Sequence, residues 1–500
     1  MRSIQALVAL LSLGLGVRAT YKPKVTSEKL QAEITTENLM ANLEALQEIA
    51  AANGGNRAFG LPGYAASVDY VWGRISGIPG TKAWKQDFPG LFNLVESIEL
   101  RVDGEPFYVY GLTYSPSTSE EGITAELVLG PEGEAGCYAS SYEGLDVVGK
   151  IVLVERFRCP TGGTLAGRLL PAAANGAAAV LIYNNVPTNA TAGTLSQPNP
   201  DEYVPGGFIN QADGLAIKER LEAGETLEAY FQQTQTIEER ITQNVFVETE
   251  DGDPENIIVL GAHLDSVQAG PGINDDGSGT SLILEVFHAL TKYKAKNKVR
   301  FAWWGAEENG LVGSEYYCST LPAAEANKIL AYLNFDMVSR GYFGVGDGDG
   351  SSHGSVAPPG SEVIEQIYVD YFSGRGIEVT PAIITNGSDY ASFWQILNKR
   401  YVFNHAVEFS KDSSVEQDPC YHQVCDTIEN PDPETITVNA QAAAHMVATL
   451  AMKGTELIPK APVNATMFNH VKARSLMWDH IAIEELEALG ERHLGCGHEV

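Results

Sequence analysis

Three apolar runs in this chain each end in residues that a buried strand tolerates poorly: "IIVLGAHLDS" at 257–266, "KVRFAWWGAEENG" at 298–310 and "ILAYLNFDMVS" at 329–339. Short apolar runs bounded by turn residues read as buried strands. Between the first two lies "GTSLILEVFHALTKY", an amphipathic helix with Leu282, Val286 and Leu290 on one face. Strands alternating with helices imply an α/β fold with a central sheet flanked by helices, and such sheets place their sites beyond the C-terminal strand ends. The second run ends in adjacent Glu307 and Glu308. In a strand these would face opposite ways, and two desolvated like charges repel, so solvent or a cation must compensate them.

The rest of the chain divides around this region. Residues 37–52 carry Leu39, Leu43, Leu46 and Ile49 at helical spacing, with Asn53-Gly54 as a stop. "GLPGY" at 60–64 is a turn, "AASVDYVWGRI" resumes a helical pattern, and 95–113 reads as strand-rich. Near residue 120 the texture changes. "GKIVLVER", "AAANGAAAVLIYNN" and "VPGGFINQADGLAIKERL" read as short strand and helix units of a compact module without acidic or histidine clusters. "QNVFVETE", a "DGDPEN" turn and "IIVLGAHLDS" then predict two adjacent strands. The expected organisation is a signal peptide at 1–19, an N-terminal part of the main domain at 20–115, an inserted module at 116–236, the main domain at 237–455 and a C-terminal extension at 456–500 with one helix at 482–492.

"MRSIQALVALLSLGLGVRA" has the basic start, apolar core and small-residue end of a secretory signal. Its apolar stretch is too short to span a bilayer, and no later stretch reaches about 18 apolar residues. The expected location is therefore secreted or lumenal. Six cysteines among 500 residues fit an oxidising compartment. Cys420 and Cys425 are close enough for a small ring, Cys137 and Cys159 form a second candidate pair, and Cys318 and Cys496 are left over. Glycosylation sequons occur at Asn189, Asn386 and Asn464. The formal net charge of −31 argues against nucleic acid or an anionic membrane as partner.

Two further groups carry chemistry: "GINDDGSG" at 272–279, before a helix start, and "DPCYHQVCD" at 418–426, in a cysteine-bounded loop. Singly, each group has a plain structural reading as a turn, a solvated helix start or a satisfied histidine. Together they offer His263, Asp275, Glu308, Asp336 and His422. Two imidazoles and three carboxylates suit zinc. Five ligands exceed one zinc's needs, but with one bridging carboxylate they give two metals three protein ligands each. Glu307 is then free to act as a general base beside its ligand neighbour.

The chain resembles peptidase family M28, the co-catalytic zinc aminopeptidases, and specifically secreted leucine-aminopeptidase-like members with a protease-associated (PA) domain. "GAHLDSV", "PGINDDGSG", "FAWWGAEENGLVGS", "NFDMV" and "DPCYHQVCDT" carry the likeness over roughly residues 35–455, and 116–236 resembles the PA domain. The resemblance implies that His263 and Asp336 bind one Zn2+, Glu308 and His422 the other, and that Asp275 bridges, with a cis bond to Asp276. It further implies Glu307 as general base and acid, Tyr421 as oxyanion donor and Asp265 as the residue that orients His263. The implied substrates are peptides with a free N-terminus, cut after an apolar, Leu-like residue, by a monomer. Segment 394–417, "WQILNKRYVFNHAVEFSKDSSVEQ", departs from the family's Gly-rich pocket lining, so an altered preference is expected there. The competing readings are a glutaminyl-cyclase-like acyl transferase with one zinc, a non-catalytic PA-bearing ectodomain, and a carboxypeptidase, for which no Arg-rich pocket is evident.

Overall fold

A computed structural model describes residues 22–458 and 460, except 188, 191–192, 196, 341–342, 355–356, 383–386 and 398–417. The signal segment, the helix read at 482–492, Cys496, Asn386, Asn464 and most of segment 394–417 lie outside the described residues.

Three helices open the fold: α1 (Ser27–Gln31), α2 (Thr36–Ala52) and α3 (Pro62–Ile75). The Thr35 side chain caps α2 by accepting from the Asn38 N–H, and Leu39, Leu43 and Leu46 are its buried stripe. The long strand β1 (Thr81–Val102) follows, then short β2 (Glu105–Phe107) and β3 (Tyr110–Gly111). A smaller lobe holds β4 (Ile123–Leu129), β5 (Ile151–Glu155), α4 (Ala166–Ala174), β6 (Ala179–Tyr183), β7 (Gly206–Ile209) and α5 (Gln211–Glu222). The chain returns through β8 (Leu227–Thr249) to β9 (Asp253–His263), α6 (Gly277–Leu290), β10 (Asn297–Trp304), α7 (Val312–Thr320), α8 (Ala323–Ala326) and β11 (Ile329–Asn334). It closes with β12 (Phe343–Gly346), α9 (Ser361–Ser373), β13 (Val379–Ala382), α10 (Tyr390–Leu397) and α11 (Pro433–Leu457).

One mixed sheet of 11 strands runs through the molecule in the order β11-β9-β10-β8-β4-β5-β6-β7-β3, with β1 and β2 attached beside β8. β11, β9 and β10 are mutually parallel, so their C-terminal ends share one edge. Alternate residues of these strands enter different cores, as the two-residue period of a strand requires. Ile258 and Leu260 join Val299, Phe301 and Trp303 under α6 and α11, whereas Ile257 and Val259 join Trp304 and Tyr332 under α7 and α10. The central sheet is thus covered by helices on both faces.

One expectation needs correcting. The strands on either side of the "DGDPEN" turn are not sheet neighbours. β10 inserts between β8 and β9, antiparallel to one and parallel to the other. The stretch read as strand-rich at 95–113 holds the end of β1 with β2 and β3, and β1 itself begins earlier, at Thr81. β1 and β8 form a continuous antiparallel ribbon from Thr81↔Thr249 to Val102↔Ala229. On the edge of β8 opposite β1, β10 pairs near one end and β4 near the other. The boundary read at 236/237 therefore falls inside a strand that both lobes share.

Candidate metal centre

His263 is the last residue of β9, Glu307 and Glu308 follow β10, and Asp336 follows β11. The three parallel strands deliver these groups to one sheet edge. Asp275 precedes α6, and His422 comes from the loop closed by the Cys420–Cys425 disulfide. The structure brings all five predicted ligands together. His263 Nε2 lies 3.0 Å from Asp275 Oδ1 and 3.5 Å from Asp336 Oδ1. His422 Nε2 lies 3.1 Å from Asp275 Oδ2 and 3.0 Å from Glu308 Oε2. Asp275 thus presents one oxygen to each histidine.

The residues fit metal ions better than they fit each other. Asp275 Oδ2, both Glu308 carboxylate oxygens, Asp336 Oδ1 and His422 Nε2 are buried without a hydrogen-bond partner. A buried polar atom left in that state costs about 1–3 kcal/mol, so a fold that gathers five in one cleft is built around something that satisfies them. Neighbouring ligands of a tetrahedral zinc stand about 3.3 Å apart, given bonds of about 2.0–2.1 Å. The observed separations of 3.0–3.5 Å match that spacing. Asp276 also lies within reach of His263 and Asp336. Its oxygens are already committed: Oδ1 accepts from the Gly279 and Met337 N–H groups, and Oδ2 from the His263 N–H. Asp276 caps α6, across a cis Asp275–Asp276 peptide, and is no free ligand.

The paired glutamates have an internal explanation. Asp265 accepts the Glu307 N–H at Oδ1 and the Glu308 N–H at Oδ2, each at 3.2 Å. Its backbone carbonyl oxygen lies 3.2 Å from His263 Nδ1, and its carboxylate 3.7 Å from that nitrogen. One residue therefore fixes both glutamates and the histidine ring. Burial, with the Asp389, Asp336 and Glu308 charges, holds the Glu307 carboxyl far above the usual carboxylate range. Burial likewise pushes Glu308 up to about 7. Burial works against charge on His422, but Glu308 and Asp275 outweigh it and push it up to about 10. Tyr421 stacks on the His422 ring, centroids 3.8 Å apart.

Backbone strain collects at the same place. Ala306 (φ 56°), Met337 (φ 50°) and His422 (φ 54°) occupy the left-handed region, next to or at predicted site positions. Each such residue costs about 1–2 kcal/mol, and strain of this kind gathers where geometry is functional.

Three residues that hold the site, and a fourth buried beside it, were not singled out in the sequence. Arg57, fully buried, donates to the carbonyl of Leu264, to that of Pro271 at 2.9 Å and to that of Gly272 at 2.5 Å, pinning the loop between His263 and Asp275. Asp426 accepts the Asn274 and Asp275 N–H groups at 2.9 and 3.0 Å, and Ser388 donates to Asp336 Oδ2 at 2.6 Å. Asp389 is buried nearby, and burial pushes its carboxyl up to about 8. Asp426 sits inside the quoted "DPCYHQVCD" motif and Ser388-Asp389 open "SDYASF" at 388–393, so these could have been found there. Arg57 lies in "GGNRAFG", more than two hundred residues from the carbonyls it meets, and carries no local signal.

Comparison with known proteins identifies the family. The sequence profile of Peptidase family M28 matches residues 244–447, and that of the PA domain matches 123–217. Leucine aminopeptidase 2 of Trichophyton rubrum is 36% identical over 455 residues, 88% of this chain and 89% of the relative. Probable leucine aminopeptidase 2 of Aspergillus fumigatus is 35% identical, covering 89% of each. Among solved structures, an aminopeptidase from Aneurinibacillus sp. strain AM-1 superposes with a TM-score of 0.70 at 25% identity, over 88% of this chain and 99% of its own. The chain belongs to peptidase family M28, among the metallo-aminopeptidases that carry a PA domain.

Proposed function

We propose that the chain is a secreted, monomeric, di-zinc aminopeptidase that removes apolar, Leu-like residues from the N-termini of peptides. The observation that carries this reading is the placement of Asp275, one oxygen toward His263 and Asp336 and the other toward His422 and Glu308. His263, Asp336 and Asp275 would hold one zinc, and Glu308, His422 and Asp275 the other. Bound there, two such cations would lower the pKa of a water in the cleft and polarise the scissile carbonyl.

The chain's own groups supply the rest. Glu307 is not a ligand and its carboxyl has a high proton affinity, which suits it to take a proton from the attacking water and return it to the leaving amine. The Tyr421 hydroxyl donates to the developing oxyanion. The substrate's free α-amine sits against Glu307 and Asp336, so only chain ends fit. The names of the fungal relatives support Leu as first residue. Secretion is supported by residues 1–19 and by the Cys137–Cys159 and Cys420–Cys425 disulfides. Among the described residues, no helix is long and apolar enough to cross a membrane.

The test is hydrolysis of a panel of aminoacyl amides and of N-acetylated counterparts. Cleavage of the Leu amide with no cleavage of acetyl-Leu amide is expected. Equal cleavage of the acetylated substrate, or none of either by the zinc-loaded protein, refutes the reading.

A further inference from the structure

A second group of carboxylates lies apart from the metal centre, where β12 runs into "DGDGSSHG" at 347–354. Asp347 extends the β12–β13 pairing, its N–H donating to Ala382 O at 2.8 Å. Its side chain turns inward and is fully buried. Oδ2 accepts the Ser352 and His353 N–H groups at 3.1 and 2.7 Å, while Oδ1 is buried with no partner. Asp349 accepts the Ser351 N–H, and its own N–H donates to Glu365 Oε2 at 3.0 Å, linking the loop to α9. Asp347, Asp349 and Glu365 each bring an oxygen within 4.8 Å of the others.

This is a poor arrangement for three anions alone. The neighbours that act on the Asp349 and Glu365 carboxyls are backbone donors, Ser351 and the other carboxylates, with no lysine or arginine among them. Burial, with the facing aspartates, pushes the Glu365 carboxyl up, while hydrogen bonds from Ser351 hold that of Asp349 below the usual carboxylate range. The orphaned Asp347 oxygen adds an independent cost that a cation would remove.

The donors are all hard oxygens, without the imidazole or thiolate that zinc prefers. Carboxylates at alternate loop positions, Asp347 and Asp349, with a further acid from the following helix, are the pattern of a calcium loop. Gly350 (φ 71°) and Gly354 (φ 74°) give this loop its tight turns. Asp349 is exposed, so water can complete the large, irregular shell calcium accepts.

We propose that Asp347, Asp349 and Glu365 bind one calcium ion, which ties the 347–354 loop to α9. Val345 of β12 and Ile364, Tyr368 and Phe372 of α9 belong to the main core, so the ion braces that edge of the catalytic lobe. The inference does not depend on the reading of the zinc centre.

The test uses the full zinc-loaded chain, freed of calcium by gel filtration, with free zinc held constant. Calorimetric titration with calcium chloride is expected to show one site per chain, with Kd of about 10⁻⁴–10⁻³ M as in extracellular calcium modules, and a raised Tm. Asp349→Asn and Glu365→Gln, both at the solvent side of the group, are each expected to weaken calcium binding about tenfold or more and to abolish the melting shift. Zinc content and amide turnover should stay unchanged. No calcium heat and no melting shift in the wild-type chain overturns the proposal. So does a shift that persists in both variants, and so does magnesium chloride binding as tightly with the same shift.

Discussion

Glu307 and Glu308 differ by one position and carry different roles in the proposed mechanism, which makes them the sharpest residue-level test. Glu308 faces His422, whereas Glu307 is no ligand in the proposed arrangement. Glu307→Gln should lower turnover by about 10²–10⁴-fold while leaving zinc content intact. Turnover within a few-fold of wild type would remove Glu307 from the mechanism. The same cluster sets the pH response of the metal site. His422 is raised to about 10 and Glu308 to about 7 in the metal-free protein, so near neutral pH these ligands carry protons that a cation must displace. Raised values mean that protons compete harder, so affinity should rise with pH by about tenfold per unit for each proton displaced. Chelator competition for zinc between about pH 5.5 and 8 reads this directly, and a flat profile contradicts it. The five proposed ligands were legible as candidates in the sequence because each stands at a strand end or in a short chemical motif. Arg57 was not, because its meaning comes only from the fold, which sets its guanidinium against carbonyls of a distant loop.

At the scale of elements, the loop that carries His422 is held by more than its disulfide. Asn430 donates to Asp418 and Asp426, and Asp418 accepts from the Asn274 side chain at 2.7 Å. The loop and the Asp275 segment are therefore one hydrogen-bonded unit. Asp426→Ala frees the Asn274 and Asp275 N–H groups and should weaken zinc binding about 10–100-fold, as loss of an outer-shell partner does. Zinc affinity equal to wild type, with circular dichroism unchanged, would show that Asp426 positions nothing. The parallel strands were readable as apolar runs. The β1–β8 ribbon was not, because β1 contains Pro89-Gly90 and the middle of β8 is polar, "TQTIEERITQN". Such a strand is permitted at an edge, and β1 lies on the outer side of β8, with Pro89 opposite Ile241. The insertion of β10 beside β8 was equally hidden, since a turn between two strands does not reveal whether they pair or cross over.

For the whole molecule, the ribbon decides how the lobes can be separated. Excising 116–236 removes Leu227–Thr236 from β8 and strips the partners from Leu94–Val102, so that product should be insoluble. Deleting 96–234 instead and joining Val95 to its register partner Gln235 through an Asn-Gly turn preserves the lower ribbon as a hairpin. This shorter chain should keep its zinc and its turnover of a small aminoacyl amide, and lose stability or selectivity among longer peptides. A folded, zinc-loaded product that no longer cleaves the small amide would place part of the chemistry in the PA lobe. The central claim, two metals bridged by Asp275, is tested most directly by counting metal in active protein. Elemental analysis of the purified chain, with turnover of the Leu amide measured on the same sample, should give two zinc ions per chain at full activity. Full activity with one zinc per chain would contradict it.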